Sequence, residues 1–217
     1  MSNFDKIKNL YNENFKRFGD SPASLLTPKG RNDLRFRAII PYINKDFVSI
    51  LDYGCGLGYL LEYLIKLKLN KKCTYTGYDI LPNFINKCKT KFKKSNFELI
   101  SENDDFNEKF DIVFASGVFN IKSHHSEFES KEYAFTRIEK LFSITEEVLI
   151  CDFPSQYVDF KQPDAQHFGV EELLSFCTDR LSRRFILRHD LLPYEMTIIV
   201  FKDSAVLRPD NIYLVDK

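Results

Sequence analysis

The chain lacks a net charge, a tryptophan and a long apolar run. Its 217 residues contain 31 Lys and Arg against 31 Asp and Glu. A surface that binds the phosphates of DNA or RNA usually shows a basic excess, so this balance argues against a nucleic-acid partner. No stretch reaches the roughly 18 apolar residues that cross a bilayer, which argues against a membrane partner as well.

Paired cysteines and a secretion signal are also lacking. The five cysteines are odd in number, and none stand in the short pairs that are typical of zinc sites. Most lie in apolar contexts, which predicts reduced, buried thiols and no metal site. The first 18 residues are charged throughout and contain no apolar signal-peptide core. These features together predict a cytoplasmic location.

Strands and helices alternate along most of the chain. Two amphipathic helices, over residues 3–18 and 31–44, come before the first strand. Five strand–helix units follow, and two closing strands within residues 184–202 are joined too tightly to be parallel. The pattern predicts an α/β fold with a doubly wound, mostly parallel sheet and helices on both faces.

The same pattern predicts three parts in the chain. Residues 1–44 would form an N-terminal helical lid, residues 45–203 the sheet domain, and residues 204–217 a C-terminal tail.

One stretch carries the strongest functional signal. An apolar strand ends at Asp52, and Gly54, Gly56 and Gly58 follow before an amphipathic helix begins. Glycines allow a tight turn and let a ligand approach the backbone closely. The second predicted strand ends at Asp79, 21 residues beyond Gly58, which is about the spacing of an acid that hydrogen-bonds ribose hydroxyls. The combination predicts a nucleoside-binding site at the carboxyl ends of the strands.

A nicotinamide dinucleotide is the competing cofactor. Its G-x-G-x-x-G fingerprint would place the third glycine where Tyr59 stands. The carboxylate of Asp52 would also face a pyrophosphate unfavourably. A P-loop is excluded because no Lys-Ser or Lys-Thr pair follows the glycines. An NAD-dependent oxidoreductase is therefore the less favoured alternative.

Three segments together resemble a known family. With "ILDYGCGLGYL", "YTGYDI" and "FDIVFASGVFN", the sequence resembles the class I S-adenosylmethionine-dependent methyltransferases over roughly residues 48–202. The resemblance implies a Rossmann-like, seven-stranded sheet whose last strand is inserted antiparallel. It also implies that S-adenosyl-L-methionine is the cofactor and that the chain is a methyltransferase.

The resemblance further implies which residues hold the cofactor. Asp52 and the loop residues Gly54, Cys55 and Gly56 would lie along the methionine part. Asp79 would hold the ribose. The remaining contacts would be Ile80 and Leu81 against the adenine, Asp104 or Asp105 near the adenine amino group, and Ser116 and Gly117 near the sulfonium.

Motifs that the sequence lacks reduce the number of possible classes of methyl acceptor. The fourth strand does not end in the Asn/Asp-Pro-Pro-aromatic motif of enzymes that methylate base amines, and no Pro-Cys nucleophile for cytosine follows a strand. No acid pair stands out as a magnesium site. An oxygen or nitrogen of a small molecule is the favoured acceptor, and a protein side chain remains open. A non-catalytic protein of this fold that binds a partner chain is a further alternative.

Catalytic candidates lie in the loop over residues 117–128, which should overhang the sulfonium. His124 and His125 can take a proton near neutral pH and are the favoured catalytic pair. The other polar candidates for the acceptor pocket are Asn120, Ser123, Tyr157, His167, Tyr194 and Glu195.

The N-terminal helices supply the remaining candidates. Phe15 and Phe18 could cover the cofactor as part of the lid. Arg31 and Arg35 would then offer positive charge to an anionic acceptor. Aromatic side chains near the strand ends would suit an apolar or sugar-like acceptor, although most of the 21 Phe should belong to the core.

Overall fold

A seven-stranded sheet and six α-helices make up the part of the chain that the computed structural model describes, residues 3–101, 104–124 and 126–202. The strands are β1 (Val48–Tyr53), β2 (Cys73–Asp79), β3 (Asn96–Leu99), β4 (Phe110–Ala115), β5 (Thr145–Pro154), β6 (Phe185–Leu192) and β7 (Glu195–Phe201). The helices are α1 (Asn3–Phe18), α2 (Arg31–Phe36), α3 (Tyr59–Lys66), α4 (Pro82–Lys91), α5 (Glu127–Ser143) and α6 (Val170–Phe176). No helix within these ranges is long and apolar enough to cross a membrane.

The strand order is β3-β2-β1-β4-β5-β7-β6. β7 runs antiparallel to both of its neighbours, whereas the pairs among β1 to β5 are parallel. The predicted α/β class, the mostly parallel sheet and the antiparallel last strand are therefore confirmed. The chain reverses its direction of progress across the sheet between β1 and β4, so the carboxyl ends of these strands form the crevice where ligands bind in such folds.

The central strands are apolar because helices cover both faces of the sheet. Five of the six residues of β1 are buried, and so are five of the six in β4. One face of the sheet packs with α5 and α6 in a cluster that includes Leu141, Phe153 and Phe176. The other face packs with α3 and α4 in a cluster that includes Leu60 and Ile85. All five cysteines are free, and four of them are buried.

The second N-terminal helix is much shorter than predicted. The sequence pattern predicts a helix over 31–44, but α2 ends at Phe36, and only a 3₁₀ turn at Ile40–Tyr42 follows. Pro41 explains the break, since proline has no backbone N–H to donate to the carbonyl of Arg37, four residues earlier, and its ring would clash with that carbonyl in an α-helix. The residues after α2 pack into the sheet instead, with Ile39 fully buried.

The three-part division of the chain stays a prediction. The N-terminal segment shares its buried side chains with the sheet, as Phe36 and Ile39 demonstrate. The predicted tail, 204–217, lies outside the described residues.

Candidate active site

One large cleft of about 1310 Å³ lies over the carboxyl ends of β1, β2, β4 and β5. Its walls come from the glycine loop after β1, from α1 and α2, and from the loops after β4 and β5. The cleft brings together most of the residues that the sequence predicts for a site, namely Asp52, Gly54, Cys55, Gly56, Asp79, Ile80, Leu81, Ser116, Gly117, Asn120, Ser123, His124, His167, Tyr194 and Glu195.

Asp79 connects the end of β2 to the glycine loop. Its Oδ2 accepts a 2.9 Å hydrogen bond from the backbone N–H of Gly56. Its Oδ1 accepts a bond of the same length from the N–H of Leu81. Burial raises the pKa of Asp79 from 3.8 to about 6, although these backbone donors act in the opposite direction. The carboxylate is thus fixed in orientation against the glycine loop.

Asp52 is a second buried carboxyl in the same cleft. The hydroxyl of Tyr75 donates to its Oδ2 at 2.5 Å. Burial raises the pKa of Asp52 to about 7, the Tyr75 hydrogen bond lowers it, and the nearby charge of Asp79 raises it further. Two buried carboxyl groups at one ligand site favour a ligand that carries positive charge.

The glycine loop needs its glycines for space and for conformation. Gly54 has φ +76°, and a Cβ there would lie 2.5 Å from Cγ2 of Val118. Gly56 has φ +55°, and a Cβ would lie 3.1 Å from the Leu25 side chain, which belongs to the N-terminal segment. Non-glycine residues rarely adopt this left-handed conformation, so the loop shape depends on these positions.

Asp152, for which the sequence gives no prediction, does not line the cleft but holds two residues that do. This β5 carboxylate accepts a hydrogen bond from the Ser116 hydroxyl and another, at 2.7 Å, from the N–H of Gly117. It therefore fixes the end of β4, where the family resemblance places the sulfonium. The available signal was an acid inside the apolar run "EVLICDF", because a buried carboxylate in a strand requires partners.

A buried ion pair connects α2 to β7. The Nε and Nη2 atoms of Arg35 each donate to a carboxylate oxygen of Glu195 at 2.6 Å. Arg31 reaches the same carboxylate at 2.6 Å. The two arginines that the sequence assigns to an anionic acceptor thus already have a partner within the chain, which weakens that assignment.

The first helix covers the other end of the cleft. Tyr11 and Phe15 of α1 pack edge-on against Phe84 of α4, with ring centroids 6.4 and 5.4 Å apart. Burial raises the pKa of Tyr11 to about 12, and the charge of Asp79 adds to the rise. Phe18 does not share this packing and stays 41% exposed.

Some predicted residues are not brought into the cleft. Asp104 is exposed and accepts hydrogen bonds from Ser101, while exposed Asp105 pairs with Lys140. Tyr157 is 56% exposed and does not line the cleft. His125 lies outside the described residues.

Two histidines, from the loops after β4 and β5, line the cleft. Nδ1 of His124 lies 2.9 Å from the Ser123 hydroxyl, and its ring packs against Tyr133 with centroids 5.1 Å apart. Nδ1 of His167 lies 2.8 Å from the backbone carbonyl oxygen of Ser155. Either ring could take a proton from a substrate in this position.

Comparisons with known proteins agree with this geometry. A family model described as a methyltransferase domain matches residues 44–173. A Mycobacterium tuberculosis protein named as a methyltransferase is 28% identical over 162 residues, which are 73% of this chain and 96% of that protein.

Solved structures share the fold at low sequence identity. Magnesium protoporphyrin IX methyltransferase from Synechocystis, solved with bound S-adenosylhomocysteine (SAH), has a TM-score of 0.65 at 15% identity, covering 92% of this chain and 99% of its own. Human N-acetylserotonin methyltransferase, solved with S-adenosylmethionine (SAM), has a TM-score of 0.63 at 15% identity, covering 92% of this chain and 58% of its own. Since the family model covers more than half of the sequence, the chain belongs to the methyltransferase domain family and is a SAM-dependent methyltransferase.

Proposed function

We propose that the chain methylates an oxygen or nitrogen atom of a small molecule that binds beside Gly117. The observation that carries this proposal is a single cleft that joins the glycine loop to the two histidines. Its volume of about 1310 Å³ exceeds that of an ordinary ligand pocket, roughly 300–1000 Å³, and so leaves room for an acceptor beside the cofactor.

The cofactor would lie between the glycine loop and Asp79. When bound, SAM supplies a methyl group that its positive sulfur has activated. Asp79 would accept hydrogen bonds from the ribose hydroxyls, and Ile80 and Leu81 would pack on the adenine. Cys55 and the glycines around it would line the methionine part, and the carboxyl group of Asp52 suits its positive charge. Asp104 and Asp105 remain proposals for the adenine end.

The protein's contribution to the chemistry is alignment, exclusion of water and removal of a proton. Ser116 and Gly117, fixed by Asp152, would set the position of the reacting centre. Helix α1 would close the cleft, as the lid role of residues 1–44 requires, and keep water from it. An acceptor hydroxyl would need a base, and both His124 and His167 line the cleft.

Two measurements test this proposal. Isothermal titration calorimetry should detect SAH binding to the purified chain. Transfer of radiolabelled methyl groups from SAM should then be found with small oxygen or nitrogen nucleophiles. Binding of SAH together with transfer only to proteins or to nucleic acid would contradict the small-molecule assignment.

A further inference from the structure

Three polar atoms on one wall of the cleft are buried and have no hydrogen-bond partner among the described residues. They are Oδ1 of Asn120, Oε1 of Gln166 and Nε2 of His167. The described residues contain five such atoms in all. Buried polar atoms in folded proteins are nearly always paired. Their concentration on one wall of a ligand cleft indicates that a bound molecule supplies the missing donors.

The wall is rigid because two loops pair there. The N–H of Gln166 donates to the carbonyl of Asn120 at 2.9 Å, and the N–H of Lys122 donates to the carbonyl of Asp164 at 2.9 Å. An antiparallel bridge between Ile121 and Ala165 lies between these two bonds. The backbone segments that carry the three unpartnered atoms are thus held together.

The wall also stands beside the position proposed for the reacting centre. A Cβ added to Gly117 would lie 3.8 Å from Nδ2 of Asn120. The backbone bond between Gln166 and Asn120 places Gln166, and His167 after it, on the same wall as Asn120. The Asn120 end of this wall is therefore adjacent to Gly117, where the methyl group would be delivered.

The hydrogen bond of His167 defines its protonation. A carbonyl oxygen can only accept, so the proton shared with Ser155 is on Nδ1 of His167. Nε2 then carries a lone pair, and the His167 side chain belongs to the lining of the cleft. His124 differs, because the hydroxyl of Ser123 beside its Nδ1 can donate or accept and does not fix the tautomer. His167 is thus the histidine prepared to act as a base.

The polarity of the wall selects the acceptor. All three unpartnered atoms accept hydrogen bonds, which suits a ligand with several O–H groups. Arg31 and Arg35 share the single carboxylate of Glu195, and Nε of Arg31 is a further unpartnered atom of the cleft, a donor. A hydroxyl group both donates and accepts, so it can pair with this donor as well. A hydroxyl, unlike a free amine, also needs the base that His167 provides.

We propose that the acceptor is a polyhydroxylated molecule and that His167 removes the proton from the hydroxyl that is methylated. This rests on the function proposed above. The hydroxyl oxygen forms a bond to the methyl carbon as the carbon–sulfur bond breaks and its electron pair goes to sulfur. The hydroxyl proton moves to Nε2 of His167. The products are a methyl ether, SAH and an imidazolium, which later loses its proton to water.

The first test is spectroscopic and needs no acceptor. The chain has four histidines, so their ring nitrogens can be resolved by long-range proton–nitrogen NMR and assigned with single variants. We expect His167 to be the Nδ1–H tautomer at pH 8. An Nε2–H tautomer for His167 would overturn its role as the base.

The second test measures transfer from radiolabelled SAM to methyl glucoside, methyl galactoside and myo-inositol. Simple phenols, primary amines and carboxylates of similar size form the comparison set. We expect transfer to at least one polyol and little to the comparison set. No transfer to any polyol, or transfer only to the comparison set, would overturn the proposed acceptor class.

Variants separate the base from the binding groups. His167→Asn retains a donor to the Ser155 carbonyl but removes Nε2, and we expect kcat to fall at least about 100-fold while KM changes little. Asn120→Ala and Gln166→Ala should raise KM about 10-fold. His189→Asn, at an exposed histidine outside the cleft, serves as the control and should stay within twofold of wild type.

SAH calorimetry on each variant distinguishes two kinds of failure. If the wild-type chain does not bind SAH, the proposed function as a whole is contradicted. Normal SAH binding with a kcat for His167→Asn within threefold of wild type would overturn the present inference alone.

Discussion

The backbone N–H of Gly56 donates a 2.9 Å hydrogen bond to Oδ2 of Asp79. The donor belongs to the glycine loop after β1, and the acceptor ends β2. These two features, which the sequence shows 23 positions apart, are thus one hydrogen-bonded unit in the folded chain. A ligand that contacts the loop at Gly56 therefore lies close to the carboxylate.

Glu195→Gln should destabilise the protein strongly. The carboxylate is only 7% exposed and pairs with Arg35, which is itself 9% exposed. Removing one partner of a buried ion pair leaves the other charge uncompensated, at about 3–5 kcal/mol of unfolding free energy. Urea denaturation measures this loss. Asp190→Asn, which breaks the exposed pair with Arg188, is the control and should cost less than ~1 kcal/mol. Equal losses in the two variants would contradict the structural role of Glu195.

Gly77→Ala should destabilise the sheet beneath the site. Gly77 is buried in β2, and a Cβ there would lie 2.8 Å from the ring of Phe97 and 2.9 Å from Sγ of Cys55. Overpacking of this kind costs about 1–3 kcal/mol. Adding Cys55→Ala to the variant should restore part of the loss, because it removes one of the two clashes. A fully stable Gly77→Ala protein would show that the packing is looser than described.

The affinity for the cofactor should rise with pH. Burial raises the pKa of Asp79 to about 6 and that of Asp52 to about 7, so both carboxyls are partly protonated in mildly acidic solution. Ribose hydroxyls and a positive sulfur favour the ionised forms and so lower both pKa values on binding. We therefore expect the Kd of SAM to fall between about pH 5 and pH 7.5 and then to level off. Calorimetry across this pH range measures the Kd. A flatter dependence of the Kd on pH for Asp52→Asn would show that ionisation of Asp52 contributes to the effect.

The stability of the free protein should change in the opposite direction. A carboxyl whose pKa is higher in the folded state binds more protons when folded, so its contribution to the free energy of unfolding falls as pH rises. For Asp52 and Asp79 this decline should occur between about pH 4 and pH 7. Denaturation of wild type and of Asp52→Asn should differ most in slope over that interval. Identical slopes would mean that Asp52 ionises as readily folded as unfolded.

Helix α1 should act as a cover for the cofactor. Phe15→Ala removes an aromatic contact with Phe84 and should weaken SAH binding about 10-fold. Phe18→Ala is a matched control, because this ring is 41% exposed and does not pack on Phe84. Calorimetry compares the two variants, and SAH should protect α1 from limited proteolysis in wild type. Equal affinities of the two variants for SAH would contradict the role of α1 as a cover.

The sheet and the cofactor loop could be predicted because their signals are local. A buried strand, a glycine turn and an acid at the next strand end are each visible in a short window of sequence. Family membership also decides against the oxidoreductase and the non-catalytic alternatives. The shorter α2 shows the limit, because the apolar spacing after Phe36 favours a helix while Pro41 and burial against the sheet determine the structure.

The acceptor wall could not be predicted, because it depends on contacts between distant loops. Asn120 and Gln166 are 46 positions apart, and their backbone pairing has no periodic signal in the sequence. Arg35 likewise pairs with a residue that is distant in the sequence, Glu195. The sequence shows the positive charge of Arg35 but not that an ion pair occupies it in the fold. His167 gains its fixed tautomer only from the Ser155 carbonyl.

Calorimetric titration of SAH into wild type and Asp79→Asn tests the central claim most directly. Asp79→Asn keeps the size of the side chain but removes the charge that would bind the ribose, and should weaken binding about 10- to 100-fold. Asp46→Asn, at an exposed acid just before β1, should bind like wild type. No binding heat in wild type, or equal affinity for SAH in wild type and Asp79→Asn, would contradict a cofactor held by the glycine loop and Asp79.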